Sequence, residues 1–189
     1  MTMASDREEQ LLKDMRASFE ASLPHRLSRV SRVQLQNIIP AHWFAAAASE
    51  CAGMYIAGFF YGAISIAQAY VEALTRFLAE HHRTRTQNDP PKRCHYLNRE
   101  GLLSDTALAA ALAILSERND FHHLNKSVEQ EYKKLESRAA DCINQLHTIE
   151  SEVFAYSFGP EPGKVALEKP DYWPSGGEGL AQVNLRQLW

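Results

Sequence analysis

Two sets of apolar residues repeat every seven positions in the second half of this chain, and no other feature narrows the fold as much. Val128, Leu135, Cys142 and Ile149 form one set, and Tyr132, Ala139, Leu146 and Val153 form the other. Repeats in step keep one face of a helix apolar turn after turn. The segment from about Ser127 to Tyr156 is therefore expected to be one long helix, laid along a seam on another helix.

The remaining segments read as partners for that helix. Residues 4–22 have helical spacing, with Leu11, Leu12, Met15 and Phe19 on one stripe among charges, and Pro24 is expected to end the helix. His42 to Ala57 and Gly62 to His82 read as a helical hairpin turning at Gly58-Phe59-Phe60-Tyr61-Gly62. Its second arm is apolar on two sides and polar only along Ser65, Gln68, Glu72, Thr75 and Arg76, which places it at the centre of the fold. Residues 83–101 read as a polar loop containing Asp89-Pro90-Pro91, with a short turn of helix ended by Gly101. Ser104 then caps a helix with Leu108, Leu112 and Leu115 on one face. From Gly159 onward the chain holds more than half of its nine glycines and half of its eight prolines, a density that predicts an irregular appendage. The expected fold is all-α: a bundle of four to five helices over 41–158, an N-terminal helical extension over 1–40 and an irregular C-terminal tail over 159–189.

Composition bears on class and compartment. With 189 residues, 45% of them apolar, the chain can bury the core of one domain. A net charge of −3 supplies no global attraction for nucleic acid, so any basic surface must be local. Cys51, Cys94 and Cys142 lack paired spacing and read as reduced thiols of a cytoplasmic protein. The first ten residues carry Asp6, Glu8 and Glu9 without an apolar core, unlike a signal peptide. Cys51 to Val71 lacks charge and is long enough to span a bilayer. Its glycines, Ser65, Gln68 and the absence of a basic flank favour two buried helices instead, and no membrane partner is expected.

The candidate site is Arg118-Asn119-Asp120-Phe121-His122-His123. Extending the Ser104 helix at about 100° per residue brings Asn119 within about 20° of Leu108, His122 about 40° to one side and His123 about 60° to the other. A core stripe would then carry an amide and two imidazoles, and buried polar groups need a reason. A hydrogen-bonded helix end is one reason, and a functional site is the other.

Arg-Asn-x-x-x-His at 118–123, between one bundle helix and a long following helix, resembles the motif of the HEPN domain family. Gly58-Phe59-Phe60-Tyr61-Gly62-Ala63 with Ala69-Tyr70-Val71-Glu72-Ala73-Leu74 resembles that family's second helix. Leu97-Asn98-Arg99-Glu100-Gly101-Leu102-Leu103-Ser104 resembles the lead-in to its motif helix. The resemblance covers roughly 41–158. It implies a metal-independent endoribonuclease, often a toxin or defence effector, that dimerises so that two motifs share one cleft. By position, Arg118 and His123 would be the catalytic pair, Asn119 their support, and Glu72 the acidic residue of the second helix. No cofactor or metal is implied. The implied partners are RNA, a second copy and an antitoxin or other defence-system protein. One toxin subgroup places a modifiable Tyr two residues after the motif His; here that position is Asn125.

The residue types suit the chemistry. RNA carries its own nucleophile, the 2′-OH, so a protein can cut it with a group that moves protons near neutral pH and a cation for the charge growing on phosphorus. Histidine suits the first task and arginine the second. Asn119 and His123, four apart on a helix, are neighbours, so the amide can orient the imidazole.

Other features have two readings each. His122 is either a second acid–base group or a packing histidine. Glu72 is either part of the site or an ion-pair partner of Arg76. Arg83, Arg85, Lys92, Arg93 and Arg99, against the single acid Asp89, form either an RNA phosphate track or a solvated loop, and Arg26, Arg29 and Arg32 could extend the track. His81-His82 with Cys94-His95 lacks zinc-ligand spacing. The alternative to a nuclease is a non-catalytic scaffold of the same fold that dimerises or binds a nucleotide or protein. The seam on 128–153 and the apolar excess of 42–78 predict that some apolar surface lies between chains.

Overall fold

The computed structural model describes residues 3–35, 38–39, 42–84, 87–123, 125–128, 130–158, 165–173 and 184–185. The fold is all-α. In chain order the described residues form α1 (Met3–Val30), β1 (Ile38–Ile39), α2 (His42–Ala57), α3 (Phe60–His81), α4 (Pro90–Arg99), α5 (Asp105–Leu115), α6 (Arg118–His123), α7 (Tyr132–Val153), β2 (Tyr156–Phe158), β3 (Val165–Leu167) and β4 (Asn184–Leu185). Among the described residues, no helix is long and apolar enough to cross a membrane.

The central arm of the hairpin is α3, which packs on α2, α4, α5 and α7. Ile64, Ala67, Val71, Leu74 and Leu78 are fully buried along it. The turn into it needs Gly58, whose φ of +93° is open to glycine at no steric cost. An added Cβ there would also stand 2.9 Å from the Tyr132 hydroxyl. The heptad face of α7, from Leu135 through Ala139, Cys142, Leu146 and Ile149 to Val153, is buried against α3 and α5. This seam closes within one chain, so it does not supply the surface between chains that the sequence suggests. Tyr132, at its start, is 55% exposed and packs against Phe60 with the rings tilted and their centres 4.8 Å apart.

Pro24 does not end α1, which runs through it to Val30. The proline is exposed, so the carbonyl it leaves unpaired can meet water. The turn beyond it is held by Arg29, which is buried and donates to Glu136 at 2.9 Å, to the Ile56 carbonyl at 3.0 Å and to the Tyr132 hydroxyl at 3.1 Å. Arg29 is therefore part of the packing and is not available to an RNA track.

The polar loop 83–101 contains a helix, α4. Asp89 is its cap, accepting from the Lys92 N–H at 2.9 Å, and Pro90 and Pro91 occupy first-turn positions that need no N–H. Gly101 (φ +73°) follows it, where the Leu102 N–H reaches back to the Leu97 carbonyl at 2.9 Å. Ser104 caps α5 by accepting from the Ala107 N–H at 3.1 Å. The core face of α5 consists of Ala107, Ala110, Ala111, Ile114 and Leu115, while Leu108 and Leu112 are half-buried.

Within the irregular C-terminal tail, the described residues 165–173 and 184–185 lie against the body. β3 pairs antiparallel with β2, Ser157 lying opposite Ala166, and β1 pairs with β4. Trp173 is buried against Phe154, with ring centres 5.8 Å apart, and the Tyr172 hydroxyl donates to the Leu102 carbonyl at 3.1 Å. Ile38 and Ile39 also join the core. Core residues thus come from both sides of the 41–158 segment.

Candidate functional site

The motif does not continue α5. That helix stops at Leu115, Ser116 is extended, and Glu117 adopts a left-handed φ of 59°, unusual for a residue with a side chain. A new short helix, α6, begins at Arg118, so the angular phase carried from Leu108 is lost. Phe121 takes the buried position, packed 5.6 Å from Tyr61. Asn119, His122 and His123 are exposed, and Arg118 is half-buried. The expectation that the amide and imidazoles sit on a core stripe is overturned: they form a polar surface with one aromatic anchor beneath.

The break is held from both sides. Gln68 of α3, fully buried, donates to the carbonyls of Ile114 at 3.1 Å and Ser116 at 3.4 Å. Arg138 of α7 donates to those of Ala113 at 2.9 Å and Ser116 at 3.1 Å. These are carbonyls at the end of α5 that have no partner within the helix. Gln68 belongs to the polar strip of α3 seen in the sequence. Arg138 was not legible, because a charged residue on the polar side of a helix carries no local signal. At the other end of α6, Asn125 donates to the Asp120 carboxylate at 2.8 Å, and its backbone N–H to the Asp120 carbonyl at 3.0 Å. Asn125 therefore closes the motif helix.

Arg118 turns back to α3. Its Nε donates to Glu72 Oε1 in an ion pair, with the Glu72 side chain only 15% exposed and that of Arg118 31% exposed. Its Nη1 donates to the Asn119 side-chain oxygen at 3.2 Å. Asn119 thus bonds the arginine, where the sequence suggested the imidazole of His123. Glu72, Arg118 and Asn119 form one chain of polar contacts, and His122 and His123 stand on the same short helix, open to solvent. Of the two readings of Glu72, ion-pair partner of Arg76 or part of the site, the contact formed is with Arg118 of the motif.

The basic segment divides. Arg83, Lys92 and Arg99 are exposed, and Arg99 lies over the Tyr96 ring at 5.7 Å. Arg85 lies outside the described residues. Arg93 contradicts its assignment to an RNA track: it is 3% exposed and fully engaged. It donates to Thr75 Oγ1 at 3.1 Å, to the Gln87 carbonyl at 2.6 Å and to the Glu72 carbonyl at 3.4 Å. Burial holds its guanidinium below the usual arginine range. Its place on the inner face of α4, which begins at Pro90 and is longer than the short turn expected before Gly101, explains this. Of the other basic candidates, Arg26 lies over Phe19 at 4.9 Å, and Arg32 stands 3.6 Å from Glu136.

Among the described residues, no three His, Cys, Asp or Glu side chains cluster as metal ligands. Cys94 is buried, and His81 stacks on Phe77 at 5.3 Å. A scan against family models finds no match, and comparison with curated proteins and with solved structures finds none either.

Proposed function

We propose that this chain is a metal-independent endoribonuclease of the HEPN type, acting as a cytoplasmic toxin or defence effector. The observation that carries the reading is the break at Glu117, which turns His122 and His123 to solvent and leaves Arg118 tethered at the surface by Glu72. Histidines that served only packing have no need of such a break. In the proposed reaction His123 takes the proton of the RNA 2′-OH as that oxygen attacks phosphorus. The bond from phosphorus to the 5′-oxygen breaks, the leaving oxygen gains a proton, and a 2′,3′-cyclic phosphate remains. Arg118 stabilises the charge on the phosphoryl oxygens, Glu72 and Asn119 position Arg118, and His122 is the candidate proton donor. Two motifs facing each other in a homodimer would supply a second set of groups. Arg83, just after α3, and Lys92 and Arg99, on α4, are exposed and are the remaining candidates for phosphate contacts.

A specific observation favours the second reading, a non-catalytic scaffold. The ion pair to Glu72 and the bond to Asn119 satisfy Arg118 without any ligand. One experiment separates the two. Purified protein is incubated with RNA in excess EDTA, and the product ends are mapped. Cleavage that leaves 2′,3′-cyclic phosphate or 3′-phosphate ends supports the nuclease. Strict dependence on magnesium or manganese, or 5′-phosphate products, defeats the mechanism. Intact RNA under all conditions favours the scaffold.

A further inference from the structure

The bundle leaves one long helix without cover. Every residue of α1 from Asp6 to Ala21 is exposed, and the contact with the body is made by its last turns, through Arg29. The apolar residues of this arm are nonetheless ordered. At about 100° per residue, Leu12, Met15, Phe19, Leu23, Leu27 and Val30 fall within a band of about 120°. All six face solvent, with Met15 63%, Phe19 52% and Leu27 69% exposed. Helices with no tertiary partner are marginal in water, and a continuous apolar band of this kind marks an interaction surface.

The charge pattern identifies the partner. The start of α1 carries Asp6, Glu8, Glu9 and Asp14 against Arg7 and Lys13. No Asp or Glu then occurs between Glu20 and Glu50; Arg29 and Arg32 in that interval are taken up by Glu136, which leaves His25 and Arg26 as the basic groups of the arm. The arm is acidic at one end and basic at the other. Two such arms side by side in parallel would set like charges together. Antiparallel, each acidic start lies beside the other's basic end. Glu8, Leu12, Met15, Phe19, Ser22 and Arg26 alternate steps of four and three, the spacing of a coiled-coil seam, with Leu12, Met15 and Phe19 as its apolar centre and polar residues at its ends. With a twofold axis beside Ala17, Met15 lies level with Phe19 of the second copy, Leu12 with Ser22, and Glu8 with Arg26.

We propose that α1 is a dimerisation arm that pairs antiparallel with α1 of a second copy of this chain. The arm is remote in sequence from Arg118–His123, and the proposal does not rest on ribonuclease activity. Cysteine cross-linking of the full chain tests it. The native thiols are buried, and burial pushes those of Cys94 and Cys142 up to about 11, so they stay silent under mild oxidation. Glu8→Cys chains mixed with Arg26→Cys chains should form a disulfide-linked pair, while each variant alone should not. Linkage of each variant with itself indicates a parallel or random association and overturns the proposal. Absence of linkage in the mixture overturns it as well, whether the arm then binds a vesicle, another protein or nothing. Adding Phe19→Glu to both chains should slow the mixed linkage about a hundredfold, through loss of apolar burial at the seam. Because Phe19 is exposed and makes no buried contact with the bundle, each chain should keep the parent's melting temperature at concentrations too low for pairing. Linkage at an undiminished rate would show that the stripe is not the contact.

Discussion

Two arginines converge on one residue of α3, and they end in opposite conditions. Arg93 and Arg118 both reach Glu72, the first at its backbone carbonyl and the second at its carboxylate. Arg93 rises from a capped, regular helix and is buried, with its three bonds to Thr75, Gln87 and Glu72 all internal. Arg118 opens a short helix after a backbone break and stays half-exposed beside Asn119. The same side chain serves as a fastener where the chain is continuous and as a surface group where the chain is broken. Charge in the sequence does not separate the two. What separates them is whether the helix that carries the arginine turns it toward the core.

The largest effect tests the buried arginine. Arg93→Met should destabilise the fold by about 3 kcal/mol, because it strips the partner from buried acceptors at Thr75, Gln87 and Glu72. Urea denaturation followed by circular dichroism measures this. An unchanged midpoint, with RNA binding lost, would reverse the roles of the two arginines.

Next come the exposed groups. His123→Ala and Arg118→Ala should each lower RNA cleavage about a hundredfold or more, with less than about 1 kcal/mol lost from stability. Cleavage at the parent rate by both variants would return the motif to a structural role.

A smaller and more diagnostic change is Glu72→Gln, which keeps the carbonyl bond to Arg93 but removes the charge that holds Arg118. Stability should fall by about 1 kcal/mol or less, given the partial exposure of the pair. The expected signature is a lower maximal rate of cleavage at unchanged RNA affinity, which marks Glu72 as a positioning residue. A large loss of stability would mean that the Arg118 end is as buried in effect as the Arg93 end.

The smallest effect extends the comparison to histidines. Burial, with His81 adding and Asp171 opposing, holds the His82 imidazole below its usual value of 6.5. It packs edge-on to Tyr172 at 4.9 Å. The unfolded chain therefore binds more protons than the fold between that lower value and 6.5, so stability is lost as the pH falls below 6.5. His82→Phe should make the fall in urea midpoint from about pH 7.5 to about pH 5.5 shallower. Equal slopes for variant and parent would assign the acid sensitivity elsewhere.

Much of the site was legible in residue types, but its arrangement was not. The polar strip on α3 singled out Gln68 and Glu72, and both meet the motif region. The outward turn of His122 and His123 was invisible, since it depends on Glu117 taking a positive φ that its residue type does not favour. Asp89-Pro90-Pro91 carried a helix-start signal that was outweighed by the polarity of the loop around it, and the burial of Arg93 was lost with it. The packing of Trp173 was hidden by the glycines and prolines on either side of it.

Patterns that act over one or two turns were decided by the sequence alone: the heptads of α7, the Ser104 cap, the glycine at the hairpin turn and the all-α class that follows. Each depends on the periodicity or steric allowance of neighbouring residues, which local order expresses directly. Only the tertiary structure decided that α7 buries its seam within one chain, that Pro24 is spanned, that Arg29 and Arg93 are internal and that Arg118 is held by Glu72. Those outcomes set contacts between distant segments against the cost of burying charge. That balance is fixed when the helices meet and has no counterpart in the spacing of residues along the chain.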